Sequence, residues 1–226
     1  MHVARLMGPV VLALGLSGAA FGQAWIEYKN LDDRFTVNFP GEPKIESLMY
    51  TAEDGNTFPA HRYSASRGKS TYTLTVVDFH TSDSVATVRG SIAFAAMNQR
   101  KLGKVTYDAY GQVDRIEGMH LQITKPNGQR LFTADHLEDR RLYILEATVP
   151  ASDPPPEAYV VSLGILDAKG NGVRYNLDFD GVRTRVGGGR DLAPTAAGGG
   201  GRGAGGGANE APAGAGAAGG GDGSGG

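Results

Sequence analysis

The stretch YTLTVVDFHTSDSVATVRGSIAFAAMNQRKLG, residues 72–103, changes its hydrophobic period midway, and that change decides the fold class. Over 72–79 the period is two. Tyr72, Leu74 and Val76 share one face, and Thr73, Thr75, Val77 and Phe79 the other. The far end is apolar on both faces, as in a strand buried between two layers. From Val85 the period lengthens. Val85, Val88, Ile92, Ala95, Ala96, Gln99 and Leu102 recur at the spacing of one helix face. Ser82 or Asp83 is expected to cap this helix by accepting a free backbone N–H. Gly103 is expected to end it in a left-handed conformation. Gly90 inside it points to a close packing contact, because glycine in a helix is otherwise less stable than alanine.

Strand patterns extend on both sides of this stretch. Trp25–Tyr28 opens the folded part, and a polar turn, 29–34, follows. RFTVNFP, residues 34–40, alternates with Phe35, Val37 and Phe39 on one face, and Pro40-Gly41 ends it. Residues 44–51 and 57–64 read as a hairpin about Glu53-Asp54-Gly55-Asn56, where Asp-Gly supplies the positive φ of a tight turn. Beyond the helix come strands at 104–113, 115–124, 129–137 and 140–149. The last is apolar on both faces at Leu142, Tyr143, Ile144 and Leu145. Asp153 and three prolines predict the start of a second helix, with Tyr159, Val160, Leu163 and Leu166 on its apolar face and Asp167–Gly170 at its end. Residues 173–179 alternate weakly, as an edge strand or a wrapping arm would.

The two ends read differently. Residues 1–22 have the layout of a secretory signal: Arg5 near the start, an apolar run from Val10 to Leu16, then small residues. Cleavage is expected after Gly22, with Ala24 the alternative site. The run is shorter than the roughly 20 apolar residues a membrane-crossing helix needs. Residues 183–226 are expected to be a disordered Gly/Ala-rich tail, because they hold too little apolar surface to offset the entropy of ordering. Its two Arg-Gly stretches, at Arg190 and Arg202, hold too few arginines for an RNA-binding tail. Between the ends, residues 23–182 form one globular domain. The chain has no cysteine, so thiol chemistry, disulfides and Cys-ligated zinc are excluded. With 22 basic and 24 acidic residues interspersed, no basic field exists to attract nucleic acid, and no transmembrane segment is expected.

Strands, a helix, more strands and a helix predict an α+β fold, an antiparallel β-sheet sandwiched by helices. Several elements taken in order support this: Trp25 with Tyr28, FTVNFPGEPK at 35–44, YTLTVVDF at 72–79, Gly118 before a strand, DRRLYILEA at 139–147, and Ser162-Leu163 in the closing helix. In this order they resemble a group of small secreted bacterial proteins with a PsbP-like core. The resemblance spans residues 25–176. It implies an α/β/α sandwich and partner binding rather than catalysis, and it carries over no catalytic residue.

Candidate chemistry is sparse. His61, His80, His120 and His136 could bring imidazoles together, as His120 with His136, or His80 with Asp78, but none has HxH or HExxH spacing. No metal site and no cofactor are assigned. Ser91 and Ser162 lie in helices without a GxSxG turn and read as packing serines. Asp167-Ala168-Lys169-Gly170-Asn171-Gly172 hints at a calcium loop but lacks the spaced acids and closing Glu, so a turn is the plainer reading. Arg140, Arg141 and Tyr143, with Asp135, Glu138 and Asp139 nearby, form the densest charged cluster. They are the expected partner-binding edge, against the plainer reading of a solvated turn. Trp25 is expected to anchor the start of the domain in the core. The functional expectation is a periplasmic or secreted, non-catalytic interaction or ligand-binding domain of the bacterial envelope, with an envelope protein as partner. The alternatives are a small metal- or ligand-binding enzyme using strand-borne His and Asp, and a structural envelope protein acting through its tail. Oligomeric state is left open.

Overall fold

The computed structural model describes residues 24–186. The expected export signal and the Gly/Ala segment from 187 onward lie outside them. Twelve strands and two helices follow in chain order: β1 (Ile26–Asn30), β2 (Phe35–Phe39), β3 (Lys44–Thr51), β4 (Thr57–Arg67), β5 (Ser70–Asp78), α1 (Val85–Arg100), β6 (Lys104–Val113), β7 (Ile116–Thr124), β8 (Arg130–Glu138), β9 (Arg141–Val149), α2 (Glu157–Val160), β10 (Gly164–Ile165), β11 (Tyr175–Leu177) and β12 (Arg183–Arg185). Seven strands make one antiparallel sheet in the order β3-β4-β5-β9-β8-β7-β6.

The period-two strands of the sequence take their expected places. In β5, Tyr72, Leu74 and Val76 face a core shared with Phe35, Val37, Phe39, Tyr143 and Leu145. On the opposite face Val77 and Phe79 pack with Val88, Ala95, Leu142 and Ile144. β9 runs down the middle, paired with β5 through Leu74↔Leu145 and with β8 through Ala134↔Leu145. Both of its faces are buried, so both must be covered.

The coverings differ from each other, and here the expected α/β/α sandwich is wrong. One face carries α1, which lies over β7, β8 and β9. The other carries a second, three-stranded antiparallel sheet, β1-β2-β10, together with the single turn α2. The described residues are therefore mostly β-structure, two packed antiparallel sheets and the two-stranded pair β11–β12, with one substantial helix. The expected second helix stops after Val160. Leu163 and Ile165 do reach the core, but on an extended segment whose β10 pairs Gly164↔Thr36 and Ile165↔Phe35. An apolar run of this length satisfies both periods, and the open edge of β2 offers the backbone hydrogen bonds a helix would otherwise supply.

Smaller corrections have equally local causes. Ser84, not Ser82 or Asp83, caps α1, its hydroxyl accepting from the Thr87 N–H at 3.1 Å. Gly103 does not end α1 in a left-handed turn. It lies against the Thr124 carbonyl, where a Cβ would collide. Trp25 is 40% exposed and only leans edge-on against Tyr72, with ring centroids 5.1 Å apart. β12 pairs with β11 and carries ordered structure to Arg185, past the boundary drawn at 182. Among the described residues no helix is long and apolar enough to cross a membrane.

Gly90 makes no close contact, since an added Cβ would meet only Glu53 Oε2 at an ordinary 3.5 Å. Gly90→Ala is therefore expected to raise stability by about 0.5–1 kcal/mol, measured by chemical denaturation.

Candidate functional site

The hairpins β6–β7 and β8–β9 turn at the same end of the large sheet, through two-residue loops between Val113↔Ile116 and Glu138↔Arg141. Both loops read Asp-Arg. Asp114 and Arg115 have φ of 49° and 67°, and Asp139 and Arg140 have 45° and 56°. Right-handed strand twist favours such mirror-image turns, but they suit Asn-Gly or Asp-Gly, because a left-handed backbone is unfavourable by about 1–2 kcal/mol for a residue with a Cβ. A third Asp-Arg pair, Asp33-Arg34, ends the turn before β2 with Arg34 at φ 58°. Its arginine reaches the second turn as an ion pair with Asp139.

Asp139 is the centre of a charged rim. Arg141 lies 3.7 Å from it and 3.6 Å from Asp78, and His80 Nε2 lies 4.0 Å from it. His80 Nδ1 contacts Asp78 at 2.6 Å. Burial raises the Asp78 pKa, but the His80 N–H and imidazole outweigh it and hold the carboxyl below its ordinary value. Beside this, Asp33 Oδ2 accepts from the Tyr63 hydroxyl at 2.5 Å and contacts His61 Nδ1 at 2.8 Å. Among the described residues no hydroxyl hydrogen-bonds His80 Nε2, so the Asp78–His80 contact does not continue into a nucleophile.

The rim borders a cavity of about 660 Å³ whose lining includes Arg34, Asp139, Tyr143, Asp167, Lys169 and Arg185. That volume is within the range of small-ligand sites. A second opening of about 460 Å³ includes Arg115, Arg174 and Tyr175 in its walls. The segment between them is tied down at several points: Arg174 to Asp114 at 3.2 Å, the Tyr175 hydroxyl to Glu138 at 2.6 Å, and Arg185 to Asp167 at 3.1 Å. Asp167 also accepts from the backbone N–H groups of Lys169 and Asn171, at 2.8 and 2.9 Å. The Asn171 N–H above all keeps its pKa low. This is how the suspected calcium loop is built. Its acid faces its own turn and Arg185.

Of the three residues expected to bind a partner, all are used within the domain. Arg140 donates to the carbonyls of Phe79, at 3.2 Å, and Ser82, fastening the crossing from β5 to α1. Arg141 is buried in its ion pairs. Tyr143 lines the cavity, but its hydroxyl donates to the Asp33 and Arg34 carbonyls, at 3.2 and 3.4 Å. Burial drives its pKa upward. Asp139, named in that charged cluster, lines the cavity, whereas Arg34, Lys169 and Arg185, which also wall it, escape a reading based on charge density. The signal that marks the site is the Asp-Arg dipeptide recurring at 33–34, 114–115 and 139–140. The suspected serines are structural: Ser91 donates to the Val88 carbonyl at 2.8 Å and Ser162 to that of Tyr159 at 2.7 Å.

Two further polar groups lie inside. Beneath α1, Gln99 Nε2 donates to Asp135 Oδ1 at 3.0 Å and Gln99 Oε1 accepts from Thr133 at 3.0 Å. Asp135 is fully buried, its Oδ2 has no partner, and burial raises its pKa well above the ordinary carboxylate value. On the opposite face His120 and His136 meet through their Nε2 atoms at 3.4 Å. Burial lowers both pKa values, that of His136 to about 4 with the neighbouring His120 adding to the effect. Among the described residues no group of three or more His, Asp or Glu is placed to hold a metal ion.

Two outcomes follow from this geometry. Arg115→Gly should stabilise the domain by about 1 kcal/mol by relieving a left-handed turn. Arg140→Gly should bring no gain, because it also frees the Phe79 and Ser82 carbonyls. Paired denaturation curves separate the two. Asp135 has a folded pKa above its unfolded value, so its contribution is complete below about pH 4 and is lost as pH rises towards the folded pKa, by about 1.4 kcal/mol per pH unit. Asp135→Asn should flatten that slope and be more stable than the wild type at neutral pH, as read from stability against pH.

No protein-family model matches this chain, and no curated protein matches it.

Proposed function

We propose that this chain is a non-catalytic binding domain, exported to the bacterial periplasm or beyond, that recognises a charge-mixed segment of an envelope protein at the Asp-Arg rim. The observation that carries this reading is the placement of Arg34, Arg115, Asp139 and Arg140 in left-handed backbone around one end of the sheet. Glycine would serve each turn better, and strain of this kind clusters where function over-determines the structure. The cavity between the turns is walled by both signs of charge, Arg34, Lys169 and Arg185 against Glu138, Asp139 and Asp167. A partner bearing both charges fits such a wall better than an anion or a cation alone. Export is supported by the signal-like layout of the first 22 residues.

The test is affinity capture from envelope extracts with the wild-type chain and with the double variant Lys169→Glu, Arg185→Glu. A protein retained by the wild type should be lost, at least tenfold, on the variant, whose circular dichroism should be unchanged. Equal retention by both would overturn the assignment of the rim.

A further inference from the structure

The histidine pair stands on a floor of very small residues. His136 is opposite Gly118 in the β7–β8 ladder, and His120 is flanked by Ala109 and Ala134. The His136 ring lies over Gly118, where a Cβ would collide with it, and the His120 ring lies over Gly111, where a Cβ would come within 2.5 Å of Nε2. Any larger residue at 111 or 118 would lift the rings away from each other. Their planes are nearly perpendicular, at 82°, and their centroids are 5.5 Å apart while the nitrogens are 3.4 Å apart, so the two Nε2 corners face one another. A separation of 3.4 Å is long for a hydrogen bond.

His136 Nδ1 lies over Gly118 and is buried without a hydrogen-bond partner. In the tautomer that carries its proton on Nδ1, the Nε2 lone pair is directed at His120. When His120 takes the same tautomer, two neutral lone pairs converge on the space between the rings.

We propose that His120 and His136 together form a two-coordinate site for a soft monovalent cation, Cu(I) or its redox-inert analogue Ag(I). Two metal–imidazole bonds of about 2 Å end to end span about 4 Å, so the rings need to part by only about half an ångström. A divalent ion such as Zn(II) fits less well. It calls for four ligands, with carboxylate or thiolate to offset its charge. The unfavourable energy of removing an ion from water grows with the square of its charge. His136 is only 1% exposed, and the pair stands among glycine and alanine. His120 is half-buried and gives the ion its way in. Binding through the two Nε2 lone pairs changes no oxidation state.

The experiment titrates the purified protein with Ag(I) in chloride-free buffer, and with Cu(I) under anaerobic conditions against a chromophoric chelator. One ion per chain is expected, with the Nε2 nitrogen resonances of His120 and His136 shifting together. His120→Ala removes a half-exposed ligand and should weaken binding at least tenfold. His61→Ala, His80→Ala, Met49→Leu and Met97→Leu should leave it unchanged. Undiminished binding by His120→Ala, no binding by the wild type, or tighter binding of Zn(II) than of Ag(I) at this pair would overturn the proposal.

Discussion

Strand β9 imposes the architecture. Its residues Leu142 to Leu145 are buried on both faces, so the sheet in which it is central needs a cover on each side. The chain supplies the first cover immediately after β5, as α1. It supplies the second from its two sequence extremes, β1 and β2 before the sheet and β10 after it. Phe35, Val37 and Phe39, three alternating residues of β2, meet Tyr63, Tyr72, Tyr143 and Tyr159 in one aromatic core. Most of the hydrophobic stabilisation of that face rests on these large rings, each burying on the order of 150–250 Å².

How much of this was legible depended on whether a side chain or a backbone partner decided the outcome. Strands β2 to β9 announce themselves because alternation puts large residues on a buried face, and the Asp54-Gly55 turn fixes the β3–β4 hairpin directly. Helix α1 is legible for the same reason. The segment around 157–166 was not, because its apolar residues serve a helix or a strand equally well and the deciding factor, the free edge of β2, lies some 125 residues away in the chain. Arg183–Arg185 was not legible either. RTR has no apolar face, and its strand is held by pairing with β11 and by Arg183 stacked over the Tyr175 ring at 4.2 Å.

The rim separates charge density in the sequence from placement in the fold. Arg140 and Arg141 are conspicuous in the sequence because they are adjacent, yet adjacent residues on a turn point in different directions. One caps carbonyls at the start of the α1 crossing, and the other lies buried between Asp78 and Asp139. Arg34, isolated in the sequence, reaches the cavity wall. What unites the rim is a backbone property. Arginine at Arg34, Arg115 and Arg140 occupies positions that glycine fills more readily, and that substitution pattern has no basis in hydrophobicity or net charge.

Strand β8 brings the interior polar groups together in one element. Asp135 and His136 are consecutive, so they emerge on opposite faces of the sheet, one beneath α1 and the other beside His120 on the face covered by the small sheet. Burial opposes the charged form of both, raising the pKa of the acid and lowering that of the imidazole. Each group meets partners on its own face of the sheet. Gln99 and Thr133 leave one oxygen of the acid unmatched, whereas the glycine floor leaves the imidazole free to face a second ring. The two faces of the same strand therefore carry distinct chemistry, with the more exposed partner, His120, on the side that a small ion can reach.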